Sequence, residues 1–110
     1  MSKTQPDLIK GTLDMLILKV LSLGAMHGWG ICQRVEQISE AALQVQQGSL
    51  YPALHRLVRQ GWIEPEWRLT DKQRRAKFYD LTNEGRAQLS TEHDHWRRLS
   101  SVVDRVMATV

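Results

Sequence analysis

The sequence predicts a mainly α-helical protein with one small β-hairpin near its middle. Apolar residues recur at spacings of three and four in three segments of the first 60 residues. They alternate with polar residues between positions 63 and 81, and helical spacing then resumes from residue 83. With 110 residues, 42% of them hydrophobic, the chain has the size of one compact unit. We divide it into residues 1–82 and a C-terminal helix, residues 83–110.

The first two helices are separated by a glycine-rich turn. The first helix is predicted over residues 7–23, where six apolar residues share one face: Ile9, Leu13, Leu16, Ile17, Val20 and Leu21. Gly24 follows its end, and Gly28 and Gly30 flank Trp29 before helical spacing resumes at Ile31, Val35 and Ile38. Residues 39–47 have no periodicity, so a second helix should end before them.

The third helix is predicted from an N-cap at Ser49 to about Gln60, with Pro52 in its first turn and Gly61 after its end. Its apolar face comprises Leu50, Leu54, Leu57 and Val58. The opposite face carries no acidic residue and comprises Ser49, Pro52, His55, Arg56, Arg59 and Gln60.

A change of period from about 3.6 to 2 marks the hairpin. Ile63, Pro65, Trp67 and Leu69 predict a strand with one buried face, which Pro65 confines to a sheet edge or bulge. A polar turn covers residues 70–75, and a second strand follows through Lys77, Tyr79 and Leu81. Trp62 is interpreted as core filler and Trp67 as part of the hairpin. Thr82 is the predicted N-cap of the last helix, with Glu84 in its first turn.

Three helices, a hairpin and a long helix are the elements of a winged helix-turn-helix with a C-terminal extension. The hairpin is the wing, and its tip carries Lys72, Arg74 and Arg75. The third helix takes the place of the recognition helix, which enters the major groove of DNA.

Charge is concentrated around these two elements. The formal net charge is +3, but residues 55–79 contain seven basic and three acidic side chains, a local balance of +4. Such a segment is typical of a surface that binds a polyanion. A merely solvated basic face is an equally good explanation from charge alone.

Twelve residues are candidates for contacts with double-stranded DNA. Base edges are assigned to Gln46, Gln47, Ser49 and His55, and a phosphate or sugar contact to Tyr51. Arg56 is assigned to a phosphate or to an ion pair with Glu64 or Asp80. The remaining candidates near the backbone are Pro52, Arg59, Lys72, Arg74, Arg75 and Lys77. The alternatives stay open: His55 as an ordinary exposed histidine, Tyr51 at the core edge, and the wing as a soluble loop.

The last helix carries a heptad pattern. Leu89, Trp96, Val103 and Val110 recur every seven residues, with Leu99 and Val106 between them. About three heptads are marginal for an autonomous coiled coil. We therefore expect the seam to pack partly on the first helix and partly on a second copy. A homodimer would place two recognition helices about one DNA turn apart, on a palindromic operator.

Several motifs resemble those of the PadR family of transcriptional regulators. They are Gly48-Ser-Leu-Tyr-Pro-Ala-Leu-His-Arg-Leu57, Gly61-Trp-Ile63 and Tyr79-Asp-Leu-Thr-Asn-Glu-Gly85, together with Lys10-Gly-Thr-Leu13 and His27-Gly-Trp-Gly-Ile31. The resemblance implies a winged helix, dimerisation through the C-terminal helix and usually repression of neighbouring genes. It also implies that Tyr51 and the start of the third helix touch the operator. The chain departs from the family pattern at Trp29, Val58 and Phe78, and its wing lacks glycine.

Trp96 allows two interpretations. Some proteins of this family have a flat aromatic cavity at the dimer centre that accepts planar small molecules, and the position of Trp96 is similar. Ordinary packing in an interface is the favoured interpretation, because large aromatic side chains dominate such surfaces in general.

Other classes of function lack support in the sequence. Cys32 is the one cysteine and no signal peptide is evident, so a cytoplasmic protein is expected. The apolar stretch from Met15 to Leu23 is too short to span a membrane. His93 and His95 point to different sides of a helix, so no metal site is expected. No nucleotide-binding loop or catalytic triad signature is present, so neither a cofactor nor an enzyme is predicted.

The main alternative is a winged helix that serves as a protein-interaction or dimerisation module without sequence-specific DNA binding. Salt dependence separates the two hypotheses. A dimer that makes about six to eight phosphate contacts should lose affinity with a log-log slope of roughly −5 to −7, whereas a protein partner should give a shallow slope.

Overall fold

The computed structural model describes residues 4–110, with side chains described from residue 12 onward. It contains four helices and a small three-stranded antiparallel sheet, so the predicted fold class is confirmed. In chain order the elements are α1 (Thr4–Ser22), β1 (Met26–His27), α2 (Gly28–Ile38), α3 (Gln47–Arg59), β2 (Ile63–Leu69), β3 (Arg75–Leu81) and α4 (Asn83–Met107). The predicted roles of Ile9 and Lys10 concern side chains outside the described part.

The first helix lies at the centre of the molecule, where it contacts α2, α3, α4 and β3. Leu13, Ile17, Val20 and Leu21 are buried, as the helical spacing predicts. Leu18 is also fully buried although it was not placed on the apolar face. Because elements pack around α1 on several sides, its apolar surface is wider than the single stripe expected of a surface helix.

The third helix begins earlier than predicted. The amides of Ser49 and Leu50 both donate to the Gln46 carbonyl, so Gln46 is the N-cap and Ser49 already belongs to the helix. The prediction of Ser49 as N-cap is therefore wrong. Pro52 consequently lies in the second turn instead of the first, where the missing N–H leaves the carbonyl four residues earlier without its helical donor.

The sheet has the order β1-β3-β2, and β1 was not predicted. Met26 and His27 pair with Tyr79 and Phe78 of β3. His27 is also the N-cap of α2, because its Nδ1 accepts a hydrogen bond of 3.0 Å from the Gly30 amide. The His27 ring stands edge-on to Phe78 with the centroids 5.3 Å apart. One residue thus joins the start of the helix-turn-helix to the wing.

The prediction that one face of β2 is buried is largely wrong. Ile63 is buried, but the rest of the strand is exposed, including Trp67 and Leu69. The hairpin extends beyond the helices, so alternation along β2 separates two faces that are both solvated in the single chain. Pro65 lies on an edge strand, as predicted, since β3 is the one strand among residues 4–110 that β2 pairs with.

The tip of the wing contains a strained residue. Thr70 and Arg74 close the turn, with the Thr70 amide donating to the Arg74 carbonyl and the Gln73 amide to the Thr70 carbonyl. Gln73 has a φ of 61°, in the left-handed region that a glycine would occupy without cost. The absence of glycine from the wing is therefore a source of local backbone strain.

Replacing Gln73 with glycine should stabilise the protein. The left-handed conformation costs a non-glycine residue about 1–2 kcal/mol, and glycine removes this cost. The greater conformational freedom of glycine in the unfolded chain offsets part of the resulting stabilisation. We expect the free energy of unfolding, measured by urea denaturation, to rise by about 0.5–1 kcal/mol. Asp71→Gly, in the same turn but without a positive φ, is the control and should not stabilise. An unchanged or lower stability for Gln73→Gly would contradict the strain argument.

The start of α4 is locked onto the turn between α3 and β2. As predicted, Thr82 caps the helix, since its Oγ1 accepts a 3.0 Å hydrogen bond from the Gly85 amide. The same hydroxyl donates to the Gly61 carbonyl at 2.6 Å, and the Thr82 amide donates to the Trp62 carbonyl. Gly85 is buried directly against that carbonyl. These contacts set the direction in which α4 leaves the domain.

Two further findings concern the helices. Within residues 4–110, none of the helices combines the length and apolarity that a membrane span needs.

Cys32, on α2, is buried, and burial raises the pKa of its thiol. The thiolate is therefore disfavoured in the folded state.

Candidate nucleic-acid interface

The two faces of α3 divide as the sequence predicts. Leu50, Leu54 and Leu57 are fully buried in the core, and Val58 packs against its edge. The candidate DNA contacts of this helix and its N-cap are all exposed: Gln46, Gln47, Ser49, Tyr51, Pro52, His55, Arg56 and Arg59. This polar face of α3 is free to meet a partner because its apolar face supplies the burial that holds the helix in place.

Tyr51 is held between the core and solvent. Its hydroxyl lies so close to Gly28 of α2 that a Cβ at that position would be 2.9 Å from the oxygen. The side chain is nonetheless 41% exposed. Behind it lies Tyr79, whose phenol pKa is raised by burial and further by the nearby Tyr51 phenol. Tyr51 therefore lies at the core edge, as one interpretation of the sequence held, while part of the residue stays exposed to solvent.

Arg56 forms an ion pair with Asp14 of α1, at 2.7 Å between Nη2 and Oδ1. The predicted partners Glu64 and Asp80 are therefore wrong. They lie on β2 and β3, where Glu64 is paired with Asp80, whereas Arg56 extends from the side of α3 that faces α1. Both members of the ion pair keep solvent access, so the arginine is not withdrawn from the surface.

The ion pair allows structural and DNA-binding roles of Arg56 to be separated. An exposed pair contributes about 0–1 kcal/mol, so Arg56→Ala and Asp14→Ala should both lower the free energy of unfolding by less than about 1 kcal/mol. If Arg56 also contacts a phosphate, only Arg56→Ala should weaken DNA binding, because Asp14→Ala leaves the cation in place. Equal affinities of the two variants for DNA would assign Arg56 to structural pairing alone. Fluorescence anisotropy with labelled DNA measures the difference.

A cleft of about 570 Å³ separates α3 from the wing. Tyr51 and His55 border it on one side, and the wing borders it on the other through four cations, Lys72, Arg74, Arg75 and Lys77. None of the described residues that line the cleft is a carboxylate. The potential in the cleft is therefore positive, which favours phosphate groups.

The structure brings together six of the twelve predicted DNA contacts, two from α3 and four from the wing. The other six, Gln46, Gln47, Ser49, Pro52, Arg56 and Arg59, are exposed but do not line the cleft. Sequence reasoning missed His27 and Trp29 as lining residues. The glycines around Trp29 indicated a helix start, but only the pairing of β1 with β3 brings that start to the wing.

The outer part of α4 carries an exposed apolar stripe. Trp96, Leu99, Val103 and Val106 of the predicted heptad seam lie on it, and all four are exposed. Leu89 packs against the core of its own chain. Val110 lies beyond the end of the helix at Met107. The prediction that Val110 is the last position of the helical seam is therefore wrong. The seam therefore passes from core packing at Leu89 to an uncovered surface from Trp96 onward.

These elements define a winged-helix DNA-binding protein. It has a helix-turn-helix whose recognition helix has an exposed face without acidic residues, a basic wing beside that helix, and an extended last helix. The chain belongs to the PadR-like family of transcriptional regulators, whose family model matches residues 17–91. This membership makes it a DNA-binding regulator of transcription.

Solved structures of transcriptional regulators agree with this assignment, and one further relative is similar over most of its length. A transcriptional regulator from Clostridium thermocellum is 25% identical with a TM-score of 0.82, over 90% of this chain and 96% of that one. A PadR family transcriptional regulator from Eggerthella lenta is 27% identical with a TM-score of 0.80, over 94% and 88% of the two chains. An uncharacterized protein from Lysinibacillus sphaericus is 27% identical over 101 residues, 92% of this chain and 93% of its own length.

Proposed function

We propose that the protein is a transcriptional repressor that binds a palindromic operator as a homodimer. The observation that carries the DNA-binding part is the cleft between α3 and the wing, which places four cations opposite Tyr51 and His55 without a carboxylate in its described lining. The start of α3 would enter the major groove, and the wing would lie along the flanking backbone. Base contacts would come from Gln46, Gln47, Ser49 and His55, and backbone contacts from Tyr51 and the cations.

The homodimer is supported by the stripe on α4. A single chain leaves Trp96, Leu99, Val103 and Val106 exposed, and a contiguous apolar surface of this kind typically marks an interface. Isologous pairing of two α4 helices would cover the stripe and relate the two α3 helices by a twofold axis. The operator should then have two half-sites about one helical turn apart.

The dimer is tested by analytical ultracentrifugation. We expect the wild-type mass to be that of two chains and the Leu99→Glu, Val103→Glu variant to sediment as one chain. Thr91→Glu, Arg98→Glu is a control that adds acidic side chains to α4 outside the stripe. A wild-type monomer at tens of micromolar concentration would overturn the dimer proposal.

The DNA-binding proposal is tested by selection from a random pool of duplexes. We expect the purified protein to enrich a palindrome, to bind it less tightly at higher salt, and to lose affinity in the Tyr51→Ala variant. Tyr51→Phe keeps the ring over Gly28 and separates the ring from its hydroxyl. Enrichment of no sequence, with a shallow salt dependence, would favour the protein-interaction module instead. Repression is tested with a reporter gene behind the selected site.

Release by a planar small molecule would require an aromatic site at the centre of the dimer. Trp96 is 39% exposed on the stripe, so pairing of two chains would bring two indoles close to the axis. Interface packing remains the favoured role. Quenching of the tryptophan emission by a planar dye, reduced in Trp96→Phe and accompanied by loss of operator binding, would support an effector site. As a regulator of transcription, the protein would act in the cytoplasm.

A further inference from the structure

Each face of the wing carries one arginine that lies over an aromatic ring. The Arg75 guanidinium carbon lies 5.1 Å from the centroid of the Trp67 ring, and that of Arg68 lies 5.4 Å from the Phe78 ring. The register pairs Trp67 with Lys77 and Leu69 with Arg75, so Trp67 and Arg75 share the face that lines the cleft. Arg68 and Phe78 lie on the opposite face.

The two arginines differ in their electrostatic surroundings. Arg68 forms an ion pair with Glu66, a neighbour on its own strand. Arg75 has no ion-pair partner among the described residues, and the cleft beside it contains no described carboxylate. The Arg68 charge is therefore largely neutralised within the protein, whereas the Arg75 charge remains available to an external anion.

The stack also constrains the orientation of Arg75. A guanidinium that lies over an indole ring is held by cation–π attraction and loses little further rotational freedom when it binds. A cation–π contact uses the charge of the guanidinium and none of its N–H hydrogen bonds, so these N–H groups remain available to donate to an oxyanion. Trp67 remains 58% exposed beside this arginine, which leaves a large apolar surface next to a preoriented cation.

A nucleic-acid backbone offers both complementary groups side by side, because each phosphate adjoins an apolar sugar ring. We propose that Trp67 is a DNA-contacting residue of the wing, whose indole packs on a deoxyribose and positions the Arg75 guanidinium against the neighbouring phosphate. This inference rests on the proposed function and adds a residue and a contact mode to it. Because the contact involves only the backbone, it contributes affinity and leaves the operator sequence unchanged.

The test compares three variants on the selected operator: Trp67→Ala, Trp67→Phe and Arg75→Ala. Anisotropy titrations at several salt concentrations give the dissociation constant and its salt slope. Arg75→Ala should raise the dissociation constant about tenfold per wing and reduce the slope by about 0.9 per wing. Trp67→Ala should weaken DNA binding and lower the salt slope, each by part of the change expected for Arg75→Ala. Trp67→Phe should restore most of the affinity and most of the slope.

The opposite face of the same hairpin provides the control. Arg68→Ala removes an arginine that is also stacked on a ring, but away from the cleft, and should leave affinity and slope as in the wild type. Tryptophan emission adds an independent readout. DNA should quench the wild-type protein more strongly than Trp67→Phe, because the variant lacks the indole at position 67 and keeps only Trp29 in the cleft.

Three outcomes would overturn the proposal. If Trp67→Ala binds DNA with the affinity and salt slope of the wild type, Trp67 makes no DNA contact, and the proposed DNA-binding function still stands. Equal effects of Arg68→Ala and Arg75→Ala would show that only net charge matters. A wild-type protein that selects no DNA would overturn both this inference and the proposed function. Because Trp67 is exposed, thermal unfolding of each variant should match the wild type.

Discussion

Replacing Gly85 with alanine is expected to destabilise the fold strongly. A Cβ at this position would overlap the Trp62 carbonyl oxygen and lie 2.7 Å from Leu81 Cδ1. The carbonyl cannot move aside, because it accepts the hydrogen bond of the Thr82 amide that closes the start of α4. Overpacking against fixed backbone costs 1–3 kcal/mol and occasionally more, and we expect a loss above about 3 kcal/mol here. Urea denaturation followed by circular dichroism measures it.

Gly48→Ala is the matched control for this substitution. Gly48 lies in α3 with open space where a Cβ would be, so alanine should stabilise by up to about 1 kcal/mol. The reactivity of Cys32 with a thiol reagent gives a second readout. The thiol should react slowly in the wild type, where it is buried and its pKa is raised, and quickly in Gly85→Ala. A Gly85→Ala protein as stable as the wild type would show that α4 is not locked at this point.

The second large effect is expected from the double variant Arg74→Ala, Arg75→Ala. These side chains, together with Lys72 and Lys77, form the cationic wall of the cleft. Loss of two phosphate contacts per wing should lower the log-log salt slope by about 1.8 per wing and weaken operator binding by about a hundredfold per wing at moderate salt. Sequence preference should persist, because the contacts of α3 with the bases are unchanged.

Arg68→Ala, Arg86→Ala is the control with the same loss of charge. Arg68 lies on the other face of the hairpin, and Arg86 lies at the start of α4. A general electrostatic effect would weaken DNA binding equally in the two double variants. A specific wing contact should affect only the first. Undiminished affinity of Arg74→Ala, Arg75→Ala would refute the assignment of the wing to phosphate binding.

Much of the fold was predictable because its elements have local signals. The polar and apolar faces of α3 follow from the positions of three leucines, each fully buried as expected. Thr82 caps α4 because a hydroxyl at that position can accept from an amide three residues on. Pro65 confined β2 to an edge, since proline lacks the donor that a central strand needs.

The errors occur where a local signal competes with a nonlocal contact. Ser49 has the chemistry of an N-cap, but the helix extends back to Gln47, and the cap residue Gln46 makes no side-chain hydrogen bond. Trp67 and Leu69 alternate like residues of a half-buried strand, yet the hairpin projects past the core. Arg56 was expected to pair with Glu64 or Asp80, which follow it in the chain, but its partner is Asp14, 42 residues before it.

By itself the sequence determined the order and type of the main elements, the inward face of α3 and the basic character of the wing. These depend on periodicity, capping and charge, which act over a few residues. The tertiary structure decided which of those residues meet. Pairing of β1 with β3 brings His27 and Trp29 to the wing, and the lock at Gly85 directs α4 outward with its apolar stripe exposed. Such contacts depend on the packing of distant segments, for which a two-residue strand or a single glycine carries no periodic signal.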